Sequence, residues 1–296
     1  MSLDTYYIEV LDNAVSVVIL TKAKALEIYS EKYGINLNNS MGVGDGLSDI
    51  GFMNNCGFCA CPANSQEKVK ELVNEKHGLV SDKQGLDGAL EAYEKAKEKG
   101  LEAVIFDKDG VLTVNNELSR GEEFREVLRK AGQEKNPYII LLTGSSFDQN
   151  TDFLEAYGFN HLHENPAYKK KPWAVMFNSG LQFYNVFDKE TKSLCDIPDE
   201  MVAGINNLKN YVEKMIEKDI FGNFGIVGFT EDYEKGQNGR IYRPKKEAMA
   251  TWNIPRYFKD GKTVYRGSEE AKRFSDALVK IITDFFDEKQ YNYEIA

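Results

Sequence analysis

The sequence predicts an α/β fold, a doubly wound parallel sheet joined to a second domain of α+β texture. Three observations carry that expectation. Short apolar runs alternate with helix-period segments up to about residue 187, the pattern of parallel strands with helical crossovers. Two of those runs open into acidic, glycine-containing turns, Gly44-Asp45-Gly46-Leu47-Ser48-Asp49 and Asp107-Lys108-Asp109-Gly110. Past residue 187 the texture changes to two long amphipathic segments among strand-like runs with no acidic ends. The 296 residues are too many for one compact α/β unit and suit two. The expected division is 13–187 for the core, and 188–296 with 1–12 for the second domain.

Taken in order, Tyr6 to Val10 and Ala14 to Leu20 read as strands. Leu26, Tyr29 and Tyr33 fall at helical spacing over 22–33, and Gly34 supplies the stop. Met41 to Gly44 is a short strand, Phe58 to Cys61 another, and 65–76 a polar-faced helix. Gly78 to Ser81 is strand-like. Leu86, Leu90, Tyr93 and Ala96 mark one helical face ended by Gly100. Ala103 to Phe106 and Tyr138 to Leu142 are fully apolar strands, with helices expected at 121–131 and 148–157. Ala174 to Phe177 closes the series at Asn178-Ser179-Gly180. In the second domain, helices are expected through Val202–Met215 and Phe274–Phe285, with strands at Phe224 to Phe229 and Tyr291 to Ile295.

Composition narrows the chemistry. A net charge of −10 and a pI near 5.1 argue against a nucleic-acid partner, which demands a basic face. No apolar run approaches the length of a membrane span. The opening Met1-Ser2-Leu3-Asp4 does not read as a secretory signal. Cys56, Cys59 and Cys61 lack a fourth ligand nearby, so they read as part of a small-residue buried strand rather than a zinc site. Reduced thiols without a signal point to the cytoplasm. His161 and His163 read as loop residues.

Ligands of parallel sheets collect beyond the carboxyl ends of the strands, and Asp45, Asp107 and Thr143 all stand at such ends. Asp107 and Asp109, two apart, lie on one face if the strand continues. One carboxylate is then placed to attack while the other serves a leaving oxygen, the division that phosphoryl transfer asks for. A carboxylate repels a phosphate dianion, so a divalent cation is needed between them. Mg²⁺ suits one or two carboxylates with water and phosphate oxygens, and Asp45 and Asp49 can complete that shell.

These segments resemble the haloacid-dehalogenase-type phosphatase superfamily, in its Cof-like branch. Asp107-Lys108-Asp109-Gly110-Val111-Leu112-Thr113 resembles its first motif. The resemblance implies Asp107 as nucleophile and metal ligand, and Asp109 as acid and base, with a backbone carbonyl on the metal. Thr143 before Gly144 resembles the second motif, a hydroxyl donor to phosphate. Lys22 resembles the third-motif lysine, with Lys24 a second candidate because Ala23 replaces the usual glycine. Gly44 to Met53 resembles the fourth motif, with Ser48 where that branch usually has asparagine, a change that bears on how Asp49 is oriented. Gly110, Gly144 and Asn178 are expected to bind substrate.

The order is rotated: three, four, one, two, lid, where the family runs one, two, lid, three, four. The resemblance is to a circular permutant, with its termini in a hairpin loop of the lid and Tyr291–Ile295 antiparallel to Tyr6–Val10. The lid position resembles the C2-type caps of sugar-phosphate phosphatases, and Arg240 and Arg243 of its basic stretch are candidates to grip the substrate. The implied partner is a small phosphate ester, with Mg²⁺ as cofactor, no membrane, and a monomer or homo-oligomer. A sugar phosphomutase shares all four motifs. A non-catalytic, receiver-like Mg²⁺ pocket is the other alternative, and Asp109 speaks against it.

Overall fold

The computed structural model describes residues 3–11, 14–114, 117–170, 175–217, 228–230, 240–242, 249–253, 258–259, 262–263 and 269–295. The chain divides into two compact units, Leu20–Cys195 and Met1–Ile19 with Asp196–Ala296. The boundaries expected at 13 and 187 therefore fall later, at 19/20 and 195/196. The reason is that the apolar run after residue 13 is a strand of the smaller unit rather than of the core.

The smaller unit begins with β1 (Thr5–Leu11) and β2 (Ala14–Val18). The larger unit follows with α1 (Lys22–Tyr33), β3 (Ser40–Val43), α2 (Ile50–Asn55) and β4 (Phe58–Cys61). It continues through α3 (Glu67–Glu75), β5 (Leu79–Val80), α4 (Gly85–Glu98), β6 (Ala103–Phe106) and α5 (Gly121–Lys130). Then come β7 (Tyr138–Leu142), α6 (Thr151–Tyr157), β8 (Val175–Phe177), β9 (Gln182–Asn185) and β10 (Glu190–Ser193). The helix expected from residue 148 starts at Thr151, because 146–150 close on themselves through Asn150 N–H to the Phe147 carbonyl.

The larger sheet has the order β10-β9-β8-β7-β6-β3-β4-β5. β3 to β8 run parallel, and β9 and β10 extend the sheet antiparallel. Parallel strands covered on both faces must be apolar throughout, and Ala103, Val104, Ile105 and Phe106 of β6 are all fully buried. From β3 the chain moves outward to β4 and β5. From β6 it moves the other way, to β7 and β8. The two directions diverge between β3 and β6, where helices leave on opposite sides and open a crevice beyond the strand ends. That crevice is where Asp45 and Asp107 lie.

The smaller unit adds α7 (Asp199–Glu217), β11 (Gly228–Thr230), β12 (Arg240–Tyr242), β13 (Met249–Asn253), β14 (Phe258–Lys259), β15 (Lys262–Thr263), α8 (Glu269–Lys289) and β16 (Asn292–Ile295). Its principal sheet has the order β13-β2-β1-β16. The apolar stripe of α7 buries Ile205, Leu208 and Val212, and that of α8 buries Phe274, Leu278, Ile282 and Phe286. Tyr6 of β1 stacks on Phe286 at 4.9 Å, and its hydroxyl donates to the Met201 carbonyl at 3.2 Å.

One expectation is reversed here. β16 pairs with β1 in parallel, Thr5 opposite Asn292 and Ile8 opposite Ile295, rather than antiparallel. A parallel pair cannot be closed by a hairpin, since its neighbouring ends point the same way. The expected hairpin between the terminal strands is therefore absent. The strand expected at Phe224 to Phe229 lies mostly outside the described residues, which hold only β11 there. Among the described residues no helix is long and apolar enough to cross a membrane.

Candidate active site

Lys22 is the first residue of α1, whose start is set by Thr21, which accepts the Lys24 N–H on its hydroxyl. The lysine side chain is only 6% exposed. Its ammonium donates to Asp107 Oδ1 at 2.6 Å and to Asp49 Oδ1 at 2.7 Å. Lys24 instead pairs with Glu27 on the outer part of the helix. Of the two candidates, Lys22 is the one at the strand ends.

Asp49 is 1% exposed and almost fully engaged. Its Oδ2 accepts the backbone N–H groups of Asp45 and Gly46, each at 3.0 Å, and its Oδ1 accepts from Lys22 and, at 3.5 Å, from Ser48. The serine at 48 thus helps hold the carboxylate rather than leaving it loose. The chain can pack so closely because residue 44 is glycine: a Cβ there would fall 2.4 Å from the Asp49 Cβ.

Asp107 directly follows β6, and its N–H donates to the Val43 carbonyl of β3 at 2.9 Å, which locks the two acidic turns in register. Gly110 has φ +87, and a Cβ on it would meet the Asp45 carboxylate oxygen at 2.0 Å. Only glycine allows this turn to lie against Asp45. The loop below it is closed by Gly110 N–H to the Thr113 carbonyl at 2.7 Å and by Thr113 N–H and hydroxyl to the Lys108 carbonyl at 3.0 and 3.4 Å. The Thr113 hydroxyl therefore has a structural job in the loop.

Asp45, Asp49 and Asp107 each offer an oxygen within 4.8 Å of the others. Three carboxylates face one ammonium, and the imbalance shows in their protonation. Burial first, and then the charges of Asp49 and Asp107 against the opposing pull of Lys22, push the Asp45 carboxyl up to about 8. Burial also raises Asp107, to about 7; Lys22 opposes it while Asp49 and Asp109 add to it. For Lys22, burial favours the neutral amine, but Asp107 and Asp49 more than reverse this and hold it above its ordinary value.

Asp109 stands apart. Its side chain is 52% exposed and lies outside the three-carboxylate group, with Oδ1 3.0 Å from the Lys108 ammonium and Oδ2 3.4 Å from the Ser145 hydroxyl. Thr143 is buried, and its hydroxyl accepts the Ser145 N–H at 3.2 Å. Beside it, Asn178, Ser179 and Gly180 all have positive φ, at 50°, 58° and 90°. Their backbone braces the neighbouring turn: Asn178 N–H donates to the Ser145 carbonyl and Ser179 N–H to the Thr143 carbonyl, both at 3.0 Å. Gly144 is part of that turn. The Asn178 amide donates to Gln182 at 2.7 Å.

Of the residues expected from sequence, Lys22, Asp45, Asp49 and Asp107 meet in one group. Asp109 lies beside it with its side chain outward, and Gly110 lies against Asp45. Arg240 falls on β12 of the other unit, and Arg243 is outside the described residues. The buried free cysteines sit on and beside β4, as a strand of small residues requires. His161 and His163 lie in a short 3-10 turn, where His161 meets Glu164 and Glu155. Three residues given no role from sequence matter here. Asn64 donates to the Gly110 carbonyl and accepts the Gly85 N–H, both at 2.8 Å. It was signalled only by being polar just past the end of β4. The other two are Lys108 and Ser145.

Fold and site together define an α/β protein whose parallel strands gather a lysine-bridged carboxylate cluster at their carboxyl ends. Residues 2–92 match the family model of haloacid dehalogenase-like hydrolases. No curated protein and no solved structure matches.

Proposed function

We propose that this protein is a Mg²⁺-dependent phosphomonoester hydrolase working through a phospho-Asp107 intermediate. The observation that carries the reading is the group of half-buried Asp45 and buried Asp49 and Asp107 around Lys22. Three carboxylates against one ammonium leave a surplus of negative charge, which a divalent cation would neutralise, so the donor set fits Mg²⁺. Asp45 and Asp107 would hold it, since the oxygens of Asp49 are already occupied by backbone N–H groups and Lys22. When bound, Mg²⁺ supplies positive charge to the phosphoryl oxygens.

The residues divide the rest of the work. A carboxylate oxygen of Asp107 attacks phosphorus, and the bond to the ester oxygen breaks. Asp109 gives that oxygen its proton. Water then attacks the phosphorus of the acyl phosphate, Asp109 takes up the water's proton, and Asp107 is released with free phosphate. Lys22 orients Asp107, and the Thr143 hydroxyl is the proposed donor to a phosphate.

We read the chain as a rotated relative of its family. The matched segment 2–92 holds Lys22 and Gly44 to Met53, and the segments of Asp107 and Thr143 follow it. The adjacency of β3 and β6 supports the same reading. The smaller unit is the proposed lid, and sugar phosphates are the substrate class to try first. The test is turnover of p-nitrophenyl phosphate with Mg²⁺ and with chelator, then of a panel of phosphorylated sugars, polyols and acids. Cation-dependent turnover supports the reading; inertness toward every ester would sink it in favour of a binding module.

A further inference from the structure

We propose that Lys108 and Ser145 form a clasp that positions Asp109 toward the leaving group and keeps it out of the carboxylate cluster, an inference that rests on the hydrolase reading. Lys108 is 6% exposed, yet it carries a charge. A buried ammonium is costly without a partner, so its ion pair with Asp109 Oδ1 at 3.0 Å dictates where it points. The Phe153 ring supports it from the side, with the ammonium 5.7 Å from the ring centroid. The second oxygen of Asp109 accepts from the Ser145 hydroxyl at 3.4 Å. Each oxygen of this carboxylate thus has its own donor, and the two donors come from different strand ends, after β6 and after β7.

The base of the clasp is rigid. The Lys108 carbonyl accepts from Leu112 N–H at 2.9 Å and from both the N–H and the hydroxyl of Thr113, so the lysine backbone cannot swing. Lys22, the other buried ammonium nearby, is committed to Asp49 and Asp107. The two lysines therefore sort the four carboxylates: Lys22 serves the cation side and Lys108 serves the acid. The sorting has a chemical purpose. Mg²⁺ takes one or two carboxylates, and a further one drawn into the cluster would add charge there and remove the proton donor from the ester oxygen. In an in-line displacement the acid must stand on the side opposite the nucleophile. Lys108 is a positioning residue in this scheme, because it acts on the ester only through Asp109.

The test compares Lys108→Met, Lys108→Arg and Ser145→Ala on two esters of similar shape. Phenyl phosphate needs its leaving oxygen protonated, and p-nitrophenyl phosphate does not. Mg²⁺ affinity is measured by calorimetry on the same proteins. Since general acid catalysis contributes roughly 10²–10⁴-fold, Lys108→Met is expected to lose about tenfold more kcat/KM, which reports the ester-cleavage step, on phenyl phosphate than on p-nitrophenyl phosphate. Lys108→Arg recovers most of that loss, Ser145→Ala shifts the ratio in the same direction, and Mg²⁺ affinity is unchanged. Equal losses on both esters, an arginine variant as impaired as the methionine one, or weakened Mg²⁺ binding that accounts for the loss would each overturn the clasp. Should Lys108→Met not fold, the Ser145→Ala ratio decides alone. A wild type inert to both esters removes the hydrolase reading and the clasp with it. An active wild type with unaltered variants removes only the clasp.

Discussion

The ammonium of Lys22 stands 2.6 Å from a carboxylate oxygen of Asp107, across 85 positions of sequence. It joins the start of α1 to the end of β6, and by its second bond it includes the turn after β3. A buried ion pair is maintained only where the geometry satisfies both charges, so this contact fixes three segments relative to one another. Four predictions follow from that arrangement, each with its own measurement.

Asp107→Asn keeps the shape of the side chain and an oxygen for Lys22, but removes the proposed nucleophile. It is expected to lower kcat on p-nitrophenyl phosphate by at least about 10³-fold with little change in KM, the signature of an interaction made only in the transition state. A steady-state comparison checks this, with circular dichroism to show that the variant is folded.

Lys22→Met and Lys24→Met separate the two lysines. Lys22 bridges Asp49 and Asp107 in the interior, whereas Lys24 pairs with Glu27 in a part-exposed position. The first variant is expected to lose about 10²-fold or more in kcat/KM, by loss of preorganised charge. The second stays within about twofold, as exposed pairs contribute little.

Mg²⁺ affinity should rise with pH. The Asp45 and Asp107 carboxyls lie up at about 8 and about 7, so below those values protons must leave before a cation can bind. Calorimetry at pH 6 and pH 8 is expected to show tighter binding at pH 8 and more protons released at pH 6. The same shifts act on stability without metal. A carboxyl whose folded value is raised stabilises the fold fully below its unfolded value near 3.8, and loses that contribution as pH climbs toward 8. In chelator, the melting temperature of Asp45→Asn minus that of wild type is therefore expected to grow from pH 5 to pH 8.

Gly110→Ala tests the glycine turn. The added Cβ meets a positive φ of 87° and the Asp45 carboxylate at 2.0 Å. A strained left-handed residue costs about 1–3 kcal/mol, and the carboxylate must also move. Lower thermal stability together with weaker Mg²⁺ binding is expected, measured by melting and by calorimetry. Unchanged Mg²⁺ affinity would mean that Asp45 does not hold the cation.

Much of the core was legible because parallel strands and their helices leave strong local signals. The run Tyr138 to Leu142 is apolar from end to end, and Lys22 to Tyr33 carries both its cap and its glycine stop. The acidic turns were legible because glycine beside aspartate at a strand end serves few purposes. Strand direction in the smaller unit was not. Tyr6 to Val10 and Asn292 to Ile295 have the same alternating texture whichever way they pair, and only the path of α8 decides that they run parallel. The membership of Ala14–Val18 was hidden for the same reason. An apolar strand does not name its sheet, and this one lies between β1 and β13. The roles of Lys108, Ser145 and Asn64 depend on partners 36 and 46 residues away or on a buried aromatic ring, which no local pattern announces.

The central claim is that Asp45 and Asp107 share one divalent cation at the divergence of β3 and β6. A crystal grown with Mn²⁺ and measured at its absorption edge tests it directly. One anomalous peak is expected about 2.1–2.3 Å from an oxygen of each carboxylate, as hard divalent cations require. Density with no such peak, or with the two side chains turned to separate places, would contradict it.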